Sequence, residues 1–271
     1  MPELPEVETT RNGIAAHLLG ARVKEMTVRQ RQLRWPVTAG VEQAISGQTI
    51  SDIQRRGKYL LLDCGNGVLL IHLGMSGSLR IASGAEPVKK HDHVDIEFVN
   101  KQILRFHDPR KFGCMLWLDG DPFSHPLLST LGPEPLSDEF SDSYLYRLSR
   151  KRKVPIKSFV MDSRVVVGVG NIYANEALFQ AGIRPTRPAG TVSRASMQAL
   201  VSAIKSILAS AIALGGTTLR DFVGGDGKPG YFRQSLLVYG RAGLACGQCG
   251  KALREIRLGQ RSTVYCTRCQ G

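Results

Sequence analysis

Two apolar runs flank Gly65-Asn66-Gly67 in KYLLLDCGNGVLLIHLG, residues 58–74. Glycine and asparagine supply the positive φ that a tight connection needs, so the pattern predicts an antiparallel hairpin. HVDIEFVNKQILRFHD, residues 93–108, repeats the design: Val94, Ile96 and Phe98 alternate with Asp95 and Glu97, and a turn is expected near Asn100-Lys101. Strict alternation means one apolar face per strand, so several such strands imply two packed sheets. An early helix, residues 6–19, lies beside them. Past residue 142 the period changes. Ser193 is placed to cap a helix in which Leu200, Ile204, Ile207 and Ala211 form one apolar stripe, and Gly215-Gly216 stops it. Between the two regimes, PEPLSDEFSD (133–142) reads as a polar, proline-rich link, and GGDGKPGYF (224–232) as a mobile loop. The chain has no internal repeat and no low-complexity tail.

Charge narrows the partner. Among 271 residues, Lys+Arg number 36 against 23 Asp+Glu, a formal net charge of +13. Such an excess points to a polyanion. No run approaches the roughly 18 consecutive apolar residues of a spanning helix, and no secretory leader is expected, so nucleic acid is favoured over a membrane surface. A cytoplasmic protein is expected.

The six cysteines divide unevenly. Cys64 and Cys114 stand alone in apolar contexts and read as buried thiols. The rest form Cys246-x2-Cys249-x16-Cys266-x2-Cys269, the spacing of a four-thiolate zinc ribbon. All four positions being cysteine leaves no place for a reactive water, so one structural Zn2+ is expected. The intervening hairpin carries Lys251, Arg254, Arg257 and Arg261. Upstream, Gly168-Val169-Gly170-Asn171 opens a helix, an arrangement that lets backbone N–H groups approach an anion, close behind the basic run RLSRKRKVPIK. An ordinary turn and a solvated basic face explain these two segments individually; next to a zinc ribbon, a nucleic-acid surface explains them together.

PELPEVE at the start, RGKYLLL, HLGMSGSLR, KHDHVD, DPRKFG, VGVGNIYANEALF, GGTTLRDF, DGKPGYF and the terminal ribbon occur in this order along the whole chain. Together they resemble the bacterial formamidopyrimidine-DNA glycosylases. The resemblance implies an α+β protein: an N-terminal two-sheet β-sandwich with flanking helices (1–132), a linker and first helical residues (133–150), a helix–two-turns–helix domain (151–236) and a zinc finger (237–271), with DNA in the cleft between. It implies that oxidised purines, 8-oxoguanine and formamidopyrimidines, are excised from damaged double-stranded DNA, with strand nicking by β,δ-elimination. Pro2 would be the nucleophile once Met1 is removed, Glu3 the acid and base, Lys58 a phosphate contact and proton donor, and Arg261 the phosphate-binding arginine of the second elimination. Met75, Arg110 and Phe112 would fill the void left by the extruded base. His91, Arg152, Lys157 and Asn171 would contact the backbone, and residues 217–239 would close over the base. A monomer associated with the nucleoid is expected. Glu6 is read as a local orienting carboxylate.

Two alternatives stay open at this level. Endonuclease VIII-like glycosylases share the N-terminal proline, glutamate and lysine, although Leu4, the Arg110/Phe112 pair and GGDGKPGY favour the purine-directed branch. A zinc-ribbon DNA-binding protein without catalysis would have no use for Pro2.

Overall fold

The structure is a computed structural model and describes residues 2–216 and 236–271. The expected lid segment falls for the most part on 217–235, outside the described residues. The chain divides into two compact units: residues up to Ser129 together with 214–216, and Thr130–Ala213 with 236–271.

The first unit begins with helix α1 (Leu4–Leu18), two residues earlier than the sequence predicts. The shift has a local cause. Glu3 occupies the N-cap, Pro5 fits the first turn, where its missing N–H has no intrahelical partner to lose, and the Glu6 carboxylate accepts the Glu3 backbone N–H at 2.8 Å. Strand β1 (Val23–Val28) and the short helix α2 (Val41–Ile45) follow. Next come β2 (Asp52–Arg56), β3 (Tyr59–Asp63), β4 (Val68–His72), β5 (Ser78–Ser83), β6 (Asp92–Phe98), β7 (Gln102–His107) and β8 (Cys114–Leu118), and a short α3 (Pro126–Ser129) ends the unit. Two antiparallel four-stranded sheets result, in the orders β1-β6-β7-β5 and β2-β3-β4-β8. Both predicted hairpins are present. β3 and β4 pair from Asp63↔Val68 to Tyr59↔His72 around Gly65, whose φ is +81°. Gly67 is required for space, because a Cβ there would lie 2.4 Å from the Trp117 ring.

The core lies between the sheets and under α1. Val7, Ile14 and Leu18 of the helix meet Leu60, Leu62, Leu69 and Ile71 of one sheet and Val94, Ile96, Phe98, Leu104 and Phe106 of the other. The opposite face of β6 is not open to water. Arg105 grips Asp95 through Nε and Nη2 at 2.8 and 2.9 Å, Arg29 donates to the same carboxylate at 2.7 Å, and Arg80 donates to Asp92 at 2.9 Å. Burial opposes charge on Asp92, but Arg80, the Lys89 N–H and His107 bring its carboxyl down to about 2. Alternating polar positions here mark a second, ionic layer.

The second unit holds α4 (Asp142–Ser149), α5 (Ile156–Val160), α6 (Asn171–Gln180) and α7 (Arg194–Ala213), then the hairpin β9 (Arg254–Leu258) and β10 (Arg261–Tyr265). Ser193 caps α7 as expected, its Oγ accepting the Ser196 N–H at 3.1 Å. The stripe is shifted at one position: Leu200, Ile204 and Ala211 are buried, but Leu208 takes the core place foreseen for Ile207. Over its 20 residues α7 is apolar enough to span a membrane by length and composition, although polar residues interrupt it throughout. It packs against α4 and α6, and Lys205 on its flank donates to the Ser137 carbonyl at 2.7 Å, so it serves as a core helix. That bond, with fully buried Phe140, shows that 133–142 is packed onto the helices.

Candidate active site and metal centre

Pro2 and Glu3 are buried immediately before the first turn of α1, with Glu6 beneath them. The helix is fixed to its sheet by Glu8, which receives Arg11 at 2.7 Å and Arg55 of β2 at 2.6 Å. Burial opposes the Glu8 charge, but these two guanidinium groups hold its carboxyl below the usual range. The N-terminus of a helix carries partial positive charge, so a cation there is disfavoured and a carboxylate favoured.

Lys58 is half-buried in the two-residue turn between β2 and β3, following Gly57 with φ +57°. Register places Tyr59 opposite His72, and their rings lie 4.8 Å apart. The His72 Nδ1 accepts the Gly74 N–H at 2.9 Å, which leaves its proton on Nε2. Burial first, then Lys58 and Arg34, push His72 down to about 4. It is therefore a neutral imidazole donor beside cations at pH 7. Nothing in VLLIHLG marks that histidine as more than the end of a strand.

Met75 lies on the β4–β5 loop, while Arg110 and Phe112 lie on the β7–β8 loop. All three are exposed, Met75 at 37% and Phe112 at 41%, and the Arg110 guanidinium sits 4.9 Å from the Phe112 ring centroid. Glycines bring the two loops into contact. A Cβ on Gly74, whose φ is +65°, would stand 2.4 Å from the Phe112 carbonyl carbon, and one on Gly113 would stand 2.7 Å from the His72 oxygen. Exposed apolar tips on backbones this tightly packed present a rigid wedge. His91 adjoins them in a left-handed conformation, φ +77°, its ring 6.1 Å from those of His93 and His107.

In the second unit Arg152 is exposed after α4 and lines a cavity of ≈ 390 Å³ with Leu148, Phe159 and Arg164. The setting of Lys157 differs from that of an open phosphate contact. It is 1% exposed, and its Nζ donates to the Ser262 carbonyl at 2.9 Å and to Thr263 Oγ1 at 2.7 Å. Asn171, the first residue of α6, donates to the same Ser262 carbonyl at 3.1 Å. Arg261, the neighbour of Ser262, is exposed where β10 begins, after a turn in which Gly259 and Gln260 both have positive φ. Two further residues of α6 went unremarked in the sequence. Asn175 accepts the Val264 N–H at 2.9 Å, and the buried Glu176 carboxylate accepts the N–H groups of Leu237, Val238 and Tyr239 at 2.8, 3.0 and 2.7 Å. A carboxylate so surrounded fixes the entry to the ribbon.

The four ribbon sulfurs all lie within 4.8 Å of one another, with Cys246 and Cys269 at 3.9 Å and Cys249 and Cys266 at 3.4 Å. Tetrahedral zinc with Zn–S near 2.3 Å needs edges of about 3.8 Å, so the set fits one ion and leaves no open position.

Residues 1–115 match the N-terminal domain of formamidopyrimidine-DNA glycosylase, 131–223 its H2TH domain, and 243–271 a zinc finger found in FPG and IleRS. The formamidopyrimidine-DNA glycosylases of Stutzerimonas stutzeri and Cellvibrio japonicus are 60% and 58% identical over 270 residues, covering 100% of each chain. Among solved structures, the MutM (Fpg) protein of Thermus thermophilus superposes with a TM-score of 0.90 at 37% identity, covering 99% of this chain and 98% of that one. Lactococcus lactis Fpg, in complex with DNA containing an abasic site, superposes with a TM-score of 0.93 at 33% identity, covering 99% of both chains. Fold, site and likeness define a DNA glycosylase of base-excision repair with one structural zinc. The chain belongs to the formamidopyrimidine-DNA glycosylase family.

Proposed function

We propose that this enzyme removes oxidised purines, 8-oxoguanine and formamidopyrimidines, from double-stranded DNA through a covalent bond to Pro2, and then nicks the strand. The observation that carries the reading is the buried Pro2–Glu3 pair at the start of α1. With Met1 removed, Pro2 presents a secondary amine. Free α-amino groups titrate near 8, far below lysine near 10, and the helix terminus favours the neutral form further.

The amine lone pair attacks C1′ of the extruded nucleotide, and the glycosidic electron pair leaves with the base. Glu3 protonates the sugar ring oxygen, opening the ring to an iminium. That cation draws electrons from C2′, so loss of a C2′ proton expels the 3′ phosphate, and a second elimination expels the 5′ phosphate. Lys58 contacts phosphate and moves the proton in the first elimination; Arg261 holds the phosphate of the second. Met75, Arg110 and Phe112 enter the stack vacated by the base, the guanidinium bonding the orphaned partner. His91 and Arg152 contact the backbone. Lys157 and Asn171 belong to the backbone contacts of the same reading, and both also hold the Ser262 peptide beside Arg261. The expected lid, 217–239, lies mostly outside the described residues, and the boundaries at 132, 150 and 236 belong to the same reading. The zinc shapes the hairpin and takes no part in bond making.

Borohydride trapping tests the mechanism. Wild-type protein lacking Met1 should cross-link to 8-oxoguanine duplex, whereas Pro2→Gly and Glu3→Gln should lose base release by about 10³-fold or more. Full-speed excision by protein that retains Met1 would remove Pro2 from the reaction.

A further inference from the structure

Asp108 has no assigned part in this chemistry, yet its side chain is fully buried at the point where the wedge loops meet. Its Oδ1 accepts the Ser76 hydroxyl at 2.9 Å, and its Oδ2 accepts the Gly113 N–H at 2.8 Å. Ser76 follows Met75 and its Oγ accepts the Arg110 N–H at 3.3 Å; Gly113 follows Phe112. The Asp108 backbone extends the tie to the third loop. Its N–H donates to the His91 carbonyl at 3.0 Å, and its carbonyl faces His93 Nε2 at 2.8 Å.

We propose that Asp108 is the positioning residue of the wedge: one buried carboxylate sets Met75, Arg110 and Phe112 in place before DNA arrives, while the Asp108 backbone holds the His91 loop beside them. The proposal rests on the void-filling reading above. Loops ordered only on binding would meet that entropy cost while the base is leaving its stack, when an ångström of misplacement lowers the rate most. A carboxylate oxygen bonded to O–H or N–H is short and strong, and a water replacing it would hold neither loop at fixed distance. Asparagine in the same place can keep a bond to Gly113 and turn its amide toward Ser76 Oγ, so the conservative change preserves part of the geometry.

Two substrates separate positioning from general damage: duplex DNA with 8-oxoguanine opposite cytosine, and a single-stranded oligonucleotide with an abasic site, in which no stack needs filling. Asp108→Ala should release base from the duplex at least about tenfold more slowly in single turnover, and Asp108→Asn about two- to threefold more slowly. Borohydride trapping of either variant on the single strand should stay within about twofold of wild type. Adding Phe112→Ala to Asp108→Ala should cost little more than the larger single effect, because both act through one wedge. Equal losses on the two substrates, unchanged duplex rates in a folded Asp108→Asn, or additive losses in the double variant would overturn the proposal. Should Asp108→Ala not fold, the Asp108→Asn substrate ratio decides alone. Wild-type protein that neither releases the base nor traps would instead overturn the void-filling reading, and the positioning role with it.

Discussion

Arg110, on a connection between strands, and Arg261, at the start of one, are both exposed arginines, but they are held by opposite means. Around Arg110 the support is polypeptide: Gly74 and Gly113 let two loops touch, and Asp108 bonds to both. Beside Arg261 the hairpin β9–β10 has a small core, Leu253 and Val264 against Phe179, closed by four cysteines. Its position against α5 and α6 is set by polar pins, with Lys157 and Asn171 on Ser262 and Asn175 on Val264. A large core can place a loop by packing alone. A ribbon of about 30 residues buries too little apolar surface for that and relies on metal and ionic pins instead.

Metal removal should break the symmetry most. A strong chelator is expected to unfold the ribbon and abolish strand incision, because structural zinc supplies on the order of 10 kcal/mol or more to such modules. Amide hydrogen exchange should show 246–270 losing protection while β3, β4 and β6 keep theirs; protection retained throughout would mean that the hairpin stands without its ion. The reciprocal break is Gly74→Ala. A Cβ 2.4 Å from the Phe112 backbone, at a positive φ, should destabilise the first unit by about 2–5 kcal/mol in urea titration and leave the ribbon untouched.

Lys157→Met sharpens the contrast at smaller cost. Leaving Ser262 and Thr263 without that donor should cost about 1–3 kcal/mol and speed amide exchange at 262–264, with no change around Phe112. Acid should show the smallest effect, again on one side only. His72 is depressed to about 4 from an ordinary 6.5, so the unfolded chain takes up the proton first. The stability due to neutral His72 is complete above about 6.5 and is lost as pH falls toward about 4. His72→Asn should flatten that part of the curve, measured as Tm against pH, and a change of a few degrees is expected.

Hairpins, capped helix and ribbon were legible because each signal is local. Gly65-Asn66-Gly67 dictates its own turn, Ser193 bonds three residues ahead, and paired CxxC knuckles need only each other. Residues whose partners lie far along the chain were not. Lys157 ends a basic run and reads as an outward-facing cation on a nucleic-acid surface, but its intramolecular acceptors, 105 and 106 positions away, are not visible in the sequence. Asp95 looks like the wet face of a strand until Arg29 and Arg105 arrive from neighbouring strands. Glu176 sits in ANEALF as one charge on an apolar helix; only the returning chain at 237–239 shows why it is there. Charge in sequence signals exposure, and burial by pairing is invisible until the fold closes.

Cys64 and Cys114 carry a further consequence. Burial pushes both thiols up to about 12, so near neutrality both stay protonated. Peroxide and electrophiles attack the anion, and these sulfurs scarcely offer it. The first unit thus keeps its two thiols chemically silent, and the other four cysteines are committed to zinc.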